Sequence, residues 1–547
     1  MGRIFGTDGV RGVAGVELTA QLAMDLAVAA VPVLVTAAAA SGHARRPSAV
    51  IGRDSRASGD FLEAAVVAGL ASSGVDVLRL GVIPTPGVAY LTGALDADFG
   101  VVLSASHNPA ADNGIKFFGR SGVKLPDEIE DEIEARLSSP GGTTPRTPGV
   151  SRPSDPMAET AVPSDPPAET GSPWVSAYGF GRVTDAYSAH ETYLDHLLAS
   201  LPTPATGQLP LHGMRVVVDC AHGAAYSIGP RALRRAGAEV IAIGAAPDGL
   251  NINASVGSTH LETLAAAVLE HGADAGLAFD GDADRCLAID GDGQPLDGDQ
   301  ILAVLASQLK RSNQLIGDTV VVTVMSNLGF HDAMRESGIT VIETPVGDKH
   351  VYAAMRDGGY VLGGEQSGHI IQLGYATTGD GVLTGLHLLA AVNSAGIPVS
   401  AAAKLMTRYP QVLLNVRGDK DRAMADPAVV EAAGLSGMVR QLALNCVPAG
   451  FEQNLLTLKL DQAASDRRTR PMEEKLVQGL SKYLGKDIRL AFEIAESDLN
   501  SPARQRVQAE QERVARAASA FEADPAVKGL RERFGADVDA ASVKPSN

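Results

Sequence analysis

Cysteine is scarce in this chain: Cys220, Cys286 and Cys446 are the only three in 547 residues. They lie far apart and form no Cys-x-x-Cys pair, which excludes a disulfide framework and a thiolate zinc site and fits a reducing cytoplasm. Basic residues are in deficit, 46 Lys and Arg against 64 Asp and Glu, for a formal charge of -18. A surface of that sign is not expected to bind nucleic acid or an anionic membrane, while a local basic site for an anionic metabolite stays open. Long unbroken apolar runs are missing as well. The one stretch that mimics a membrane segment, "LAMDLAVAAVPVLVTAAAA" at 22–40, carries Asp25 and Pro32 and follows a Gly-rich polar motif rather than a basic leader. It reads as a buried Ala-rich helix, not a signal peptide or an anchor.

What is present is globular in composition, 45% hydrophobic and 20% charged, and too long for one core, so three or four domains are expected. Three segments share the order strand, polar loop, helix, glycine, strand. They are "AVIGRDSRASGDFLEAAVVAGLASSGVDVLRLG" from Ala49, "RVVVDCAHGAAYSIGPRALRRAGAEVIAIG" from Arg215 and "TVVVTVMSNLGFHDAMRESGITVIETP" from Thr319. This is the βαβ pattern of a helix-covered sheet, with Gly74, Gly237 and Gly338 placed to end each helix. Three copies this far apart predict three related domains. Residues 138–178 turn to Pro, Ser, Thr and Gly with a near-duplicate, "PSDPMAET" and "PSDPPAET". Such a segment has too few apolar residues to offset ordering, and reads as a flexible surface insertion ended near Trp174. Residues 435–495 read as helix, strand, helix, strand, followed by a charged helical tail from Ser501.

"GVVLSASHNP", residues 100–109, runs an apolar strand into Ser104, Ser106 and His107 before an Asn-Pro turn. Open α/β sheets place ligand crevices at such strand ends, although a Ser-rich turn can also serve only its own backbone. In "LAFDGDADRCLAIDGDG", residues 277–293, Asp280, Asp282 and Asp284 alternate. On an extended segment they share one face about 7 Å apart, and the glycine lets them converge. Converging carboxylates repel unless a cation sits among them, and an all-oxygen set suits Mg²⁺. An EF-hand is excluded, since Gly291 stands where its twelfth-position Glu belongs. Arg285 follows, a cation suited to a phosphoryl oxygen. Three further loops supply anion and sugar partners: "FGTDGVRG" with Arg11, "TPVGDKHVY" with Asp348 and Lys349, and "GGEQSGHI" with Glu365, Ser367 and His369. Together they form the inventory for a phosphorylated sugar.

"GTDGVRG", "SASHNPAADNGIKFFG", "DGDADR" and "GEQSGH", in this order, resemble the α-D-phosphohexomutase superfamily, most closely its bacterial phosphoglucosamine mutase branch, over residues 1–430 without the insertion. The resemblance implies three tandem α/β domains with mixed sheets: 1–185 with the phosphoserine loop, 186–298 with the metal loop and 299–410 with the sugar loop. It makes Ser106 the phosphoserine and a ligand of Mg²⁺ together with Asp280, Asp282 and Asp284. Arg11, His107, Lys116 and His369 take acid/base or electrostatic roles. Arg285, Asp348, Lys349, Glu365 and Ser367 bind substrate. The implied reaction interconverts glucosamine 6-phosphate and glucosamine 1-phosphate through a glucosamine 1,6-bisphosphate intermediate, which also acts as activator; the product is a precursor of UDP-N-acetylglucosamine and cell wall. A phosphoglucomutase or phosphomannomutase shares these motifs, and Gln366 favours the amino sugar.

The superfamily ends on a fourth domain with an R-x-S-G-T-E-P type loop that grips the phosphate not being transferred, and no such stretch occurs in this sequence. Residues 411–432 resemble only the start of that domain. Residues 433–547 resemble instead the C-terminal domain of the DNA polymerase III tau subunit, a small α+β module with a helical tail. The junction reads as an accidental fusion of two unrelated genes rather than a mutase that gained a docking module, because the two activities share no physical link. The implied partners are a small phosphosugar and, if the module is natural, a polymerase subunit. A homodimer is compatible with the sequence. The alternative function is an impaired enzyme acting through that C-terminal module.

Overall fold

The computed structural model describes residues 4–6, 8–39, 45–138, 175, 179–204, 207–411, 437–452, 455–460, 469–484 and 488–494. The chain divides into two units, Met1–Gln411 and Val412–Asn547. In the first unit, β1 (Val10–Val13), β2 (Ser48–Arg53), β3 (Asp76–Val82), β4 (Phe99–Leu103), β5 (Asp112–Phe118) and β6 (Val183–Asp185) form a sheet ordered β1-β5-β4-β2-β3-β6. β2 is parallel to β3 and β4, whereas β5 is antiparallel to β4 and β1. The side-chain period of two decides the packing. Ile51 and Val101 join a core with Leu26 and Leu62 from α1 (Ala20–Ala39) and α2 (Ser58–Ser72), while Val50 and Val102 face Val88 and Leu91 of α3 (Thr85–Ala94). α4 (Asp127–Leu137) completes the domain. The Ala-rich segment at 22–40 thus packs as α1, with Ala23, Leu26, Ala27 and Ala30 buried. No helix among the described residues is long and apolar enough to cross a membrane.

After α5 (Ala189–Ala199), a second sheet holds β7 (Arg215–Asp219), β8 (Glu239–Ile243), β9 (Ala275–Phe279), β10 (Cys286–Asp290) and β11 (Pro295–Leu296) in the order β11-β10-β9-β7-β8. β7 is parallel to its neighbours and β10 antiparallel to β9, with α6 (Ile228–Arg235) and α7 (Glu262–His271) packed against it. The third sheet, β13-β12-β14-β15, is built from β12 (Thr319–Thr323), β13 (Thr340–Thr344), β14 (Leu362–Gly364) and β15 (Ile370–Gln372). Its helices are α8 (Gly298–Arg311), α9 (Leu328–Glu336), α10 (Asp348–Gly358), α11 (Gly381–Ala395) and α12 (Val399–Ala403). All three sheets are mixed, as expected. Gly74, Gly237 and Gly338 follow α2, α6 and α9 with φ of 89°, 107° and 66°, the left-handed backbone that ends a helix without a Cβ penalty.

In the second unit, α13 (Gly437–Leu444) leads into β16 (Cys446–Glu452) and β17 (Leu455–Leu460), and α14 (Arg470–Leu484) into β18 (Arg489–Ile494). β17 pairs antiparallel with β16 and parallel with β18. Leu456, Leu458 and Leu460 alternate inward onto Leu442, Leu476 and Leu480. The sequence reading of residues 435–495 as helix, strand, helix, strand has no place for β16. The pairing explains why: a register shift between Pro448 and Gly450 lets a strand carry two residues that otherwise signal a turn. The insertion at 138–178, apart from Ser138 and Val175, the start of a fourth domain at 412–432 and the helical tail from Ser501 lie outside the described residues.

Candidate active site

The loop after β4 is fixed from behind. Ser106 is buried, with φ of 51°. Its amide donates to Ser104 Oγ at 2.9 Å, and Ser104 Oγ donates to Asp54 at 2.6 Å. Asp54 also holds Arg56, a fully buried guanidinium, which donates to the carbonyls of Ser106, Asn108 and Pro109. Asn253 Nδ2, from the second domain, donates to the Ser106 and Asn108 carbonyls at 2.9 and 3.0 Å. Ser106 Oγ is turned toward the loop that follows β9. It donates to Asp280 Oδ2 at 2.5 Å and lies 3.4 Å from His107 Nδ1. Burial, followed by the nearby Arg285 and Arg11, lowers the pKa of His107.

The metal-type loop joins β9 to β10. Asp280, Asp282 and Asp284 are all buried and each offers a carboxylate oxygen within 4.8 Å of the others. Gly281 is required there, because a Cβ would lie 2.5 Å from the Ser106 carbonyl oxygen. The three acids are not equivalent. Asp282 Oδ2 accepts from Thr85 Oγ1 at 2.7 Å and Lys116 Nζ at 3.2 Å. Asp284 faces His369 Nδ1 at 3.5 Å; although burial opposes it, His369, Lys116 and Arg285 hold its carboxyl well below the usual range. Asp280 has no such cation in contact, and burial with repulsion from Asp284 and Asp282 pushes it well above that range. Asp282 Oδ1 and Asp284 Oδ1 are buried without a hydrogen-bond partner. Buried acceptors of this kind call for a donor or a cation, so the donor set fits a hard divalent ion.

The third domain supplies the opposite wall. His369 Nε2 lies 3.2 Å from Asp348 and 3.0 Å from the Gly379 amide. Burial alone would lower its pKa, but Asp284 and Asp348 raise it to about 10. Asp348 also pairs with Lys124, which reaches Asp8 at 3.6 Å, and Asp8 holds Arg11 at 3.2 Å. Lys116 is buried; desolvation opposes its charge, yet Asp282, Asp8 and Asp284 raise its pKa. Glu365 accepts from the Gly347 amide and from Ser367 Oγ, both at 3.2 Å.

Ser106, His107, Arg11, Lys116, Asp280, Asp282, Asp284, Arg285, Asp348 and His369 are therefore brought together by contacts or a shared field from three domains. Lys349 is differently engaged: it pairs with Asp127 at 3.0 Å and Glu130 at 3.1 Å on α4. It lines a cavity of about 480 Å³ between α4 and α10, with Lys124, Asp348, Tyr352 and Arg356. Sequence reasoning missed Asp8, Asp54, Arg56, Thr85, Lys124 and Asn253. Asp54 and Arg56 sit in the polar loop of the first βαβ copy, where a charged pair at a strand end was the available signal. Thr85, Lys124 and Asn253 carry none.

Comparison with known proteins accounts for this three-part construction. Family models for phosphoglucomutase/phosphomannomutase alpha/beta/alpha domains I, II and III match residues 2–141, 191–293 and 297–409. A model described as DNA polymerase III tau subunit V interacting with alpha matches residues 423–543. Among curated relatives, a phosphoglucosamine mutase of Thermobifida fusca is 58% identical over 448 residues, covering 80% of this chain and 91% of that protein. One from Streptomyces coelicolor is 51% identical over 492 residues, covering 89% of this chain and all of that protein. Among solved structures, a phosphoglucomutase/phosphomannomutase family protein from Burkholderia thailandensis superimposes with a TM-score of 0.59 at 24% identity, over 79% of this chain and 84% of that one. A phosphomannomutase-like protein from Thermus thermophilus, described as putative, gives 0.59 at 25% identity, over 73% and 82%. With the domains matched in order and more than half of the residues identical over most of a relative's length, the chain belongs to the phosphoglucosamine mutase family.

Proposed function

We propose that this chain interconverts glucosamine 6-phosphate and glucosamine 1-phosphate by way of a phosphoryl group carried on Ser106. One observation carries the reading: the Ser106 hydroxyl touches Asp280 inside a cluster of three buried carboxylates, two of which, Asp282 and Asp284, each keep one oxygen without a hydrogen-bond partner. A serine hydroxyl is a weak nucleophile at its ordinary pKa. Stored as a phosphoester it needs only positioning and charge neutralisation to serve as a donor.

In the first transfer the bond between phosphorus and Ser106 Oγ breaks as phosphorus bonds to O1 of glucosamine 6-phosphate. The O1 proton is lost to a base of the site, and Oγ recovers one to become a hydroxyl. The resulting 1,6-bisphosphate turns over; phosphorus bonds to Ser106 Oγ, which gives up its proton, as the bond from phosphorus to O6 breaks and O6 takes a proton to become a hydroxyl. Asp280, Asp282, Asp284 and the Ser106 phosphate would hold Mg²⁺, which when bound neutralises phosphoryl oxygen charge. Arg11 and Arg285 supply further cations. His369, set between Asp284 and Asp348, is placed to exchange a proton with the substrate, and Lys116 holds its charge beside Asp282. Glu365 and Ser367 form a ready acceptor and hydroxyl pair for the sugar. Asp348 fixes His369, and Lys349, tied to α4, lines the approach.

The test is formation of glucosamine 1-phosphate by the purified chain with Mg²⁺ and a trace of bisphosphate. Ser106→Ala should abolish turnover and remove a mass of about 80 Da from the intact protein. Persistence of that mass would move the phosphate elsewhere. The match of residues 423–543 to a tau-subunit model supports a second reading, in which the three-stranded module contacts the alpha subunit of DNA polymerase III; equilibrium binding of the full chain to that subunit tests it.

A further inference from the structure

We infer that Arg56 and Asn253 are positioning residues for the phosphoryl transfer, and that through Asn253 the second domain sets the angle of the Ser106 loop on the first. The inference rests on the reading of Ser106 as phosphoryl carrier.

Three groups from separate segments converge on the Ser106 carbonyl oxygen: Arg56 Nη2 at 2.9 Å, Asn253 Nδ2 at 2.9 Å, and the backbone of Gly281, so close that a Cβ there would lie 2.5 Å away. Arg56 and Asn253 also share the Asn108 carbonyl, at 2.8 and 3.0 Å. On the other side the Ser106 amide is tied through Ser104 to Asp54, the same carboxylate that holds Arg56 Nε at 2.9 Å. Both backbone polar groups of Ser106 are thereby fixed, and rotation about the Cα–Cβ bond is the remaining freedom of its side chain. The left-handed backbone at Ser106 is one that a β-substituted residue adopts only when its surroundings dictate it.

Asn253 is itself anchored in the second domain. It has φ of 59°, and its amide donates to Ala221 at 2.9 Å, beside β7. The contact belongs to a clasp between domains, in which Ser55 Oγ donates to the His222 carbonyl at 2.5 Å and the Ala57 amide to the Gly249 carbonyl at 2.9 Å. Neither Arg56 nor Asn253 contacts Ser106 Oγ, so their effect is on alignment. An in-line displacement is steeply sensitive to alignment, a misplacement near 1 Å being able to cost about 10²-fold. A guanidinium fork holds several carbonyls at fixed angles, which an ammonium does not.

The experiment compares steady-state kinetics of the full-length wild type with Asn253→Gly, which removes Nδ2 while tolerating φ of 59°, and with Arg56→Lys, which keeps the charge and loses the fork. The expected result is a kcat lower by about 10- to 100-fold with KM for glucosamine 6-phosphate within about twofold. Phosphate occupancy of Ser106 by intact mass should be retained, and the thermal midpoint of Asn253→Gly should be close to wild type. If Arg56→Lys fails to fold, Asn253→Gly decides alone. A wild-type kcat in Asn253→Gly overturns the inference, as does a loss matched by an equal loss of folded protein. A wild type that carries no phosphate on Ser106 and turns nothing over overturns the phosphoserine reading and the inference together, and that failure is seen in the unmutated chain.

Discussion

Asp280, Asp282 and Asp284 look alike in the sequence, and their alternation alone points to one shared ion. What the spacing could not contain is their division of labour, because the groups that make them different come from far along the chain. Thr85 and Lys116 engage Asp282, and His369 engages Asp284, whereas Asp280 meets the Ser106 hydroxyl and the Arg285 amide. From spacing, Asp282→Asn would be chosen to lose metal without losing stability. The structure moves that choice to Asp280→Asn, which relieves the largest repulsion and strips no buried cation of its partner. Calorimetric titration with Mg²⁺ should show affinity lost in Asp280→Asn, with a thermal midpoint in EDTA no lower than wild type. Asp282→Asn should lose both, since removing one member of a buried ion pair is strongly destabilising. Equal midpoints for the two variants would show that Lys116 does not depend on Asp282.

Elements were legible where burial is two-sided or where a glycine ends a helix. β4, β9 and β12 are buried along their whole length; β4 and β9 appear in the sequence as unbroken apolar runs and β12 as three valines between two threonines. β16 was not legible, since Pro448 and Gly450 argue for a turn until the pairing shows a bulge. Helix packing adds a titration that no motif announces. His387 on α11 meets Ser200 Oγ at 2.9 Å, and that hydroxyl already donates to the Leu197 carbonyl. Nε2 must then be the donor, the imidazole is neutral, and burial lowers its pKa to about 4. The unfolded chain titrates near 6.5, so the folded state binds the proton less readily. The stabilisation is fully present above 6.5 and is lost as pH falls toward 4. Asp299 and Asp380, both raised to about 6 by burial, oppose this over the same range. The difference between wild type and His387→Gln isolates the histidine. In chemical denaturation that difference should shift against the wild type by about 2–3 kcal/mol between pH 6.5 and 4. A pH-independent difference would place His387 in contact with water.

At the scale of the molecule, the repeated βαβ plan and four quoted motifs made the three domains and most of the candidate site readable, because three of the motifs follow the ends of β4, β9 and β14 and the fourth opens β1. The clasp between domains was not readable. Arg56 and Asn253 act on backbone carbonyls that have no sequence signature, and Lys124 joins Asp8 of the first domain to Asp348 of the third only once all three sheets are assembled. The central claim is that this assembly passes a phosphoryl group between Ser106 and an amino-sugar phosphate. It is tested most directly by following the group itself. The chain, carrying radiolabelled phosphate on Ser106, is mixed in a single turnover with unlabelled glucosamine 6-phosphate and Mg²⁺. The account predicts that the label leaves the protein and appears in glucosamine 1,6-bisphosphate and then in the monophosphates. Label that stays on Ser106, or that leaves only as inorganic phosphate, would contradict it.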